Sequence, residues 1–100
     1  GKPAENRQGP AGGNGNFKEF HDAVLADGVL PGKEKILIGL AIAVAKQCTY
    51  CIVKYVKTAI DAGITLEEML EACGVVILMN GGPGAAYTSL VVETYEELKQ

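Results

Sequence analysis

The stretch from Ile36 to Ala45 constrains the fold of this chain most strongly, because it is apolar at every position except Gly39. On a helix, such a segment is apolar on nearly every side and needs cover from the rest of the protein. It is about half the roughly 20 residues that a helix needs to cross a bilayer. No alternating strand pattern appears elsewhere in the sequence. The chain is therefore predicted to be a soluble, all-α protein, without a membrane partner, in which this segment is a buried helix.

The N-terminal residues 1–15 differ in composition from the rest, since they are rich in glycine and proline and almost free of apolar side chains. Such a segment buries too little surface to offset its ordering entropy. We therefore expect a flexible tail at 1–15 and one helical domain at 16–100. Asn16 and Glu19 have the spacing of a capping box, so the first helix is predicted to begin at Asn16.

Cap and breaker residues divide the domain into five helices. The first is predicted to end at Asp27-Gly28. The other four are predicted to run from Pro31 to about Lys46, from near Cys48 to Gly63, from a Thr65–Glu68 capping box to Met79 or Asn80, and from the turn at 81–84 to near Leu98.

The size of the chain bears on assembly. A domain of about 85 residues buries only some 60–65% of its unfolded surface, so it does not easily cover an all-round apolar helix. A second apolar stretch, 75–79, adds to the problem. We therefore expect a homo-oligomer that uses both segments. The formal net charge of −3 gives no reason to expect nucleic acid as a partner.

The three cysteines carry the chemistry that the sequence suggests. An odd number, without a signal peptide, argues against a secreted disulfide scaffold and favours a cytoplasmic protein. Cys48 and Cys51 form a C-x-x-C pair at a predicted helix start, where backbone N–H groups and the helix dipole stabilise a thiolate. Residues three apart share a helix face, so a disulfide is feasible. Lys46 and Lys54 add positive charge nearby.

Two other interpretations of the pair stay open: a metal site and an inert structural pair. A zinc site needs four ligands, and only Cys73 and His21 are available besides the pair, so a metal would have to bridge subunits. We therefore predict no metal and no cofactor. Cys73 is expected to be a small buried residue rather than a third redox thiol, and His21 a packed or partner-bonded histidine rather than a base.

Residues 17–87 resemble the alkylhydroperoxidase D-like and carboxymuconolactone decarboxylase family. The matching pieces are L-A-I-A-V-A-x-x-C-x-x-C-I at 40–52, K-x-A-x-x-A-G-I-T at 57–65 and G-G-P at 81–83. The resemblance implies a five-helix fold that assembles as a homotrimer or homohexamer. It also implies a dithiol that reduces hydroperoxides or exchanges electrons with a peroxiredoxin or another dithiol electron donor.

The sequence departs from the redox branch of this family at two positions. That branch usually has a histidine four residues after its second cysteine and a glutamate twelve residues before its first; here these are Tyr55 and Ile36. Glu34 would lie on the opposite helix face. A phenol with a pKa of about 10 donates a hydrogen bond to a thiolate but is a poor base at neutral pH. We therefore expect weakened peroxide turnover, with Tyr55 in the site beside Cys48 and Cys51.

The family resemblance and the position of the helix terminus assign different roles to the two thiols. The resemblance implies that Cys51 attacks the peroxide and Cys48 resolves, whereas the helix-terminus argument makes Cys48 the more acidic thiol; we favour Cys51. The function predicted is a thiol–disulfide oxidoreductase. The alternatives are a non-catalytic oligomeric scaffold of the same fold and a carboxymuconolactone decarboxylase-like lyase, a branch that uses a histidine this chain lacks.

Overall fold

The computed structural model describes the backbone of residues 10–100 and the side chains of residues 16–100. Within that range the chain is helical and contains no strand, as predicted. The helices are α1 (Pro10–Leu25), α2 (Gly32–Ala45), α3 (Thr49–Asp61), α4 (Leu66–Asn80) and α5 (Gly82–Lys99). They form a body of 45 × 30 × 29 Å. None of these helices combines the length and the apolar character that a membrane span requires.

The first helix begins earlier than the sequence indicated. It starts at Pro10, so the prediction of a start at Asn16 is wrong. Proline suits the first position of a helix, because its missing N–H has no partner there and its φ is already helical. The expected tail at 1–15 therefore overlaps α1 at 10–15, and its remaining part, 1–9, lies outside the described residues.

Helix α2 is the centre of the fold and packs against each of the other four helices. Its buried face carries Ile36, Leu40, Ala43 and Val44. These residues join one cluster with side chains from the other helices and loops: Ile52, Val56, Ala59, Ile64, Met69, Cys73, Val76 and Val91.

The apolar helices are covered on one side only. In α2, Ile38 is 49% and Ile42 53% exposed, so the prediction that the whole 36–45 segment is buried holds for just part of it. The end of α4 is similar, with Leu78 81% and Met79 75% exposed. The reason is geometric, because three other long helices cannot surround both α2 and α4. On α1, the apolar side chains of Phe17, Phe20 and Val24 are also exposed.

The α3–α4 junction follows the sequence prediction closely. Gly63 has φ +81°, and the N–H of Ile64 donates to the carbonyl of Ala59 at 2.9 Å. This is a Schellman motif, which needs a left-handed residue that glycine supplies at low cost. Thr65 then caps α4: its hydroxyl accepts from the Glu68 N–H at 3.1 Å, and its own N–H donates to Glu68 Oε1 at 2.9 Å. The predicted capping box is confirmed.

Candidate functional site

The short connection between α2 and α3 places the first cysteine. The N–H of Cys48 donates to the carbonyl of Ala43 at 3.1 Å, and the N–H of Gln47 to that of Val44 at 3.0 Å. These bonds form a second Schellman motif, with Gln47 at φ +58° in the left-handed position where glycine is usual. The chain therefore turns sharply after α2 and delivers Cys48 to the start of α3.

Cys48 is the N-cap residue of α3, with extended backbone angles. Its Sγ accepts a hydrogen bond from the backbone N–H of Cys51 at 3.3 Å. Both residues are free thiols and both are half-buried. The sequence prediction of a thiol pair at a helix start is therefore matched by the geometry, with the first sulfur facing the unpaired N–H groups of the first turn.

The two thiols differ in acidity. The Cys51 thiol and the Cys51 backbone N–H both donate to Cys48 Sγ, and these bonds, with the charge of Lys46, lower the pKa of the Cys48 thiol. The pKa of Cys51 is raised, first because its proton is held in the bond to Cys48, and then by burial and by charge on Cys48. These hydrogen bonds favour a charge on Cys48 and a proton on Cys51.

The thiols open into a cleft of about 300 Å³ between α2 and α3. Its lining consists of Gly39, Ile42, Ala43, Lys46, Cys48, Cys51 and Tyr55. Gly39 matters because the ring of Tyr55 lies directly on it: a Cβ at this position would be 2.7 Å from Tyr55 Cε2. Sequence reasoning missed this glycine, which looks like any small residue in an apolar helix until its neighbour is known.

Tyr55 reaches from α3 to α1. Its hydroxyl oxygen lies 3.1 Å from Nε2 of His21, and Nδ1 of His21 lies 3.2 Å from Oδ1 of Asp22. Burial, followed by the charge of Cys51, raises the pKa of the Tyr55 phenol. His21, expected to be a packed or partner-bonded histidine, is bonded to Tyr55 of the cleft. Asp22 was not singled out by the sequence at all.

The two positions that differ from the redox branch lie as expected from the helix geometry. Ile36 belongs to the core and is 7% exposed. Glu34 lines a different cleft, beside Lys33 and Glu68. Glu34 therefore does not take over the role of a relay acid beside the dithiol.

The remaining candidates are structural. Cys73 is fully buried, as expected, and burial raises the pKa of its thiol. Gly81, at φ +75°, is the single residue between α4 and α5, so the turn predicted at 81–84 is shorter than expected and Pro83 lies in the first turn of α5. Among the described residues, no three His, Cys, Asp or Glu side chains cluster in a way that could hold a metal ion.

Comparisons with known proteins identify relatives that match most of this chain. The chain is 35% identical over 82 residues to an uncharacterised protein of Cupriavidus necator, covering 82% of this chain and 73% of the relative. It is 34% identical over 82 residues to uncharacterised protein 4 of the cox locus of Paracoccus denitrificans, covering 82% and 74%.

Two solved structures share the fold. A carboxymuconolactone decarboxylase family protein from Legionella pneumophila superposes with a TM-score of 0.80 at 39% identity, covering 85% of this chain and 76% of that one. A second family protein, from Thermotoga maritima and described as possibly involved in the antioxidative response, gives a TM-score of 0.76 at 26% identity, covering 87% of this chain and 90% of that one. The family model for carboxymuconolactone decarboxylases matches residues 15–94. The chain belongs to the carboxymuconolactone decarboxylase family.

Proposed function

We propose that this protein is a thiol–disulfide oxidoreductase whose Cys48–Cys51 pair reduces hydroperoxides or the disulfide of a partner protein. One observation carries the proposal: Cys48 Sγ sits at the N-terminus of α3, accepts the Cys51 N–H at 3.3 Å and opens into a cleft. A thiolate is the reactive form of cysteine, and this position stabilises it.

The proposed order of events starts from Cys48. Its thiolate attacks one oxygen of the hydroperoxide, the O–O bond breaks, and the leaving alkoxide takes a proton to become an alcohol. Cys51 then attacks the sulfenic acid on Cys48, which forms the disulfide and releases water. A peroxiredoxin or another dithiol electron donor supplies two electrons and two protons to restore the pair, in a cytoplasmic setting.

This order reverses the roles that the family resemblance implies. The lower pKa of Cys48 supports it as the attacking thiol, and the raised pKa of Cys51 supports it as the resolving one. The antioxidative link of the Thermotoga maritima relative supports peroxides as the substrate class.

The test is hydroperoxide consumption in the presence of a dithiol donor. We expect Cys48→Ser and Cys51→Ser each to lose turnover. Cys73→Ala is the matched control, because Cys73 is fully buried, and we expect it to keep turnover. Equal, near-zero rates in all variants and in the wild type, with both peroxide and protein-disulfide substrates, would instead favour a scaffold.

We further propose that the protein is a homo-oligomer, a trimer or hexamer. The support is the open apolar surface that the fold leaves on α1, α2 and α4. Its main members are Phe17, Phe20, Val24, Ile38, Ile42, Val75, Leu78 and Met79. Side chains of this size are normally covered, and a second copy is the partner always present. A monomer in sedimentation at micromolar concentration would contradict this proposal.

A further inference from the structure

We infer that Asp22, His21 and Tyr55 form a hydrogen-bonded chain that takes the thiol proton of Cys51 and returns it to the leaving group. This inference rests on the proposed oxidoreductase function. It assigns to α1 a role in the chemistry, since His21 and Asp22 both lie on that helix while the thiols lie at the start of α3.

The carboxylate of Asp22, at the outer end of this chain, sets which groups donate and which accept the hydrogen bonds. The pKa of Asp22 is lowered, first by a hydrogen bond from Lys18 and then by one from His21, so Asp22 is a carboxylate at neutral pH. A carboxylate only accepts hydrogen bonds, so His21 Nδ1 donates to it across 3.2 Å. In the neutral ring this leaves Nε2 as an acceptor, and the Tyr55 hydroxyl donates to it at 3.1 Å.

Tyr55 connects this chain to the dithiol. Cys51 and Tyr55 are one helical turn apart on α3, where side chains four residues apart are neighbours. Both line the same cleft, and the charge of Cys51 affects the phenol. The absence of a side chain at Gly39 gives the Tyr55 ring its place in the cleft, because a Cβ there would be 2.7 Å from Tyr55 Cε2.

The charged groups near His21 and along α1 come from α1, α3 and α2. On α1 they are Lys18 and Asp22, which pair at 2.8 Å. From α3, Lys54 lines the same surface cleft as His21 and lies 5.7 Å above the Phe17 ring. From α2, Lys35 binds the carbonyl oxygens of Val24 and Ala26 at the C-terminal end of α1. Asp22 is the anionic group in contact with the imidazole.

The proton balance of the resolving step is complete with these groups. Once Cys48 is a sulfenic acid, the Cys51 proton moves to the Tyr55 oxygen while the Tyr55 proton moves to His21 Nε2. The Cys51 thiolate attacks the Cys48 sulfur, the S–S bond forms and the S–O bond breaks. The proton then returns from His21 through Tyr55 to the departing hydroxide, which leaves as water. Histidine suits this task because it is the side chain that most often accepts and returns a proton in enzyme sites.

The experiment is a single turnover of the reduced, full-length protein with hydrogen peroxide, followed from pH 6 to pH 10. Sulfenic acid is trapped with a cyclic 1,3-dione, and disulfide is counted by mass spectrometry after an acid quench. The variants are His21→Gln and Tyr55→Phe. Glutamine still accepts a hydrogen bond from Tyr55 but does not take up a proton, and phenylalanine keeps the ring on Gly39.

We expect both variants to form sulfenic acid at the wild-type rate and to form disulfide about a hundredfold more slowly at pH 7, the lower range for a positioned acid–base group. The deficit should close as the pH rises and solvent ionises Cys51. Asp61→Asn is the control. Asp61 pairs with Lys57, four residues before it, just as Asp22 pairs with Lys18. The Asp61–Lys57 pair, however, lies on the outer face of α3. Asp61→Asn should behave as wild type.

The outcomes separate this inference from the proposed function. Disulfide formation in both variants at the wild-type rate across the pH range would overturn the relay while leaving the oxidoreductase intact. A deficit of the same size at every pH would also overturn it, since that is what misplaced thiols would produce. A wild type that forms neither sulfenic acid nor disulfide would overturn the proposed function itself.

Discussion

The α2–α3 and α3–α4 junctions use the same helix ending but differ by one residue in length. Between Asp61 and Leu66 there are four residues, so Ile64 enters the core and Thr65 caps the next helix. Between Ala45 and Thr49 there are three, so Cys48 has both tasks. It closes the Schellman motif and caps α3 with its sulfur. The shorter junction thus keeps the thiol at the helix mouth instead of in the core.

The residue three positions after each cap shows what this difference does. In α4, Glu68 accepts a hydrogen bond from the Thr65 N–H, so its permanent charge stabilises the cap. In α3, the Cys51 thiol donates to Cys48, so the negative charge belongs on the cap residue itself. The same geometry therefore gives a stabilising cap at the start of α4 and an acidic thiol at the start of α3.

The largest expected difference between the junctions is in stability. Ile64→Ala removes a side chain that is 3% exposed and should lower the free energy of unfolding by about 3 kcal/mol, as for other buried large-to-small changes. Cys48→Ala, at the half-buried cap, should cost less than about 1 kcal/mol. Urea denaturation in the presence of reductant measures both. Equal losses would mean that Cys48 is as much a core residue as Ile64.

The left-handed residues of the two junctions should respond in opposite directions. Gly63→Ala places a Cβ at φ +81° and should destabilise by about 1 kcal/mol. Gln47→Gly relieves the same strain at φ +58° and should stabilise by about 0.5 kcal/mol, because greater freedom of the unfolded chain offsets part of the gain.

Thermal unfolding of the two variants and the wild type shows whether each substitution stabilises or destabilises the protein. If Gln47→Gly were destabilising, the conclusion that glutamine is strained next to the dithiol would be wrong.

The same contrast explains how far sequence reasoning reached into the fold. Gly63, Thr65 and Glu68 are strong local signals, and the capping box at the start of α4 was predicted correctly, although α3 ends at Asp61, two residues before the predicted end at Gly63. The end of α2 has no glycine, so its left-handed turn at Gln47 was invisible even though the helix boundary was nearly right. The start of α1 was wrong because glycines at 12–15 outweighed Pro10, whose position at a helix start depends on residues that follow it.

In the site, the sequence identified what lies on one helix and missed what crosses between helices. Cys48, Cys51 and Tyr55 follow from the spacing along α3 and from the family resemblance. The bond from Tyr55 to His21 joins residues 34 apart, and the contact of Tyr55 with Gly39 joins α3 to α2. Such pairs depend on tertiary packing, which no local pattern encodes. His21 was expected to be packed or partner-bonded, but its partner, Tyr55, could not be identified from the sequence for this reason.

The smallest expected effect tests whether the Cys51 side chain makes Cys48 acidic. In Cys51→Ser a hydroxyl still donates to Cys48 Sγ, whereas in Cys51→Ala only the backbone N–H remains. Losing the donor raises the pKa of Cys48, so less thiolate is present at pH 7. Alkylation of Cys48 by iodoacetamide should then be about threefold slower in Cys51→Ala than in Cys51→Ser.

Alkylation rates of Cys48 measured from pH 5 to pH 10 test this effect of the Cys51 side chain. The two variants should converge above the thiol pKa, or reverse slightly, because a more basic thiolate is the stronger nucleophile. Glu68→Ala, the matched loss at the other junction, should lower stability and leave this alkylation profile unchanged, since Glu68 bonds Thr65 and Lys33 rather than a thiol. Superimposable curves for Cys51→Ala and Cys51→Ser would assign the acidity of Cys48 to the helix terminus and Lys46 alone.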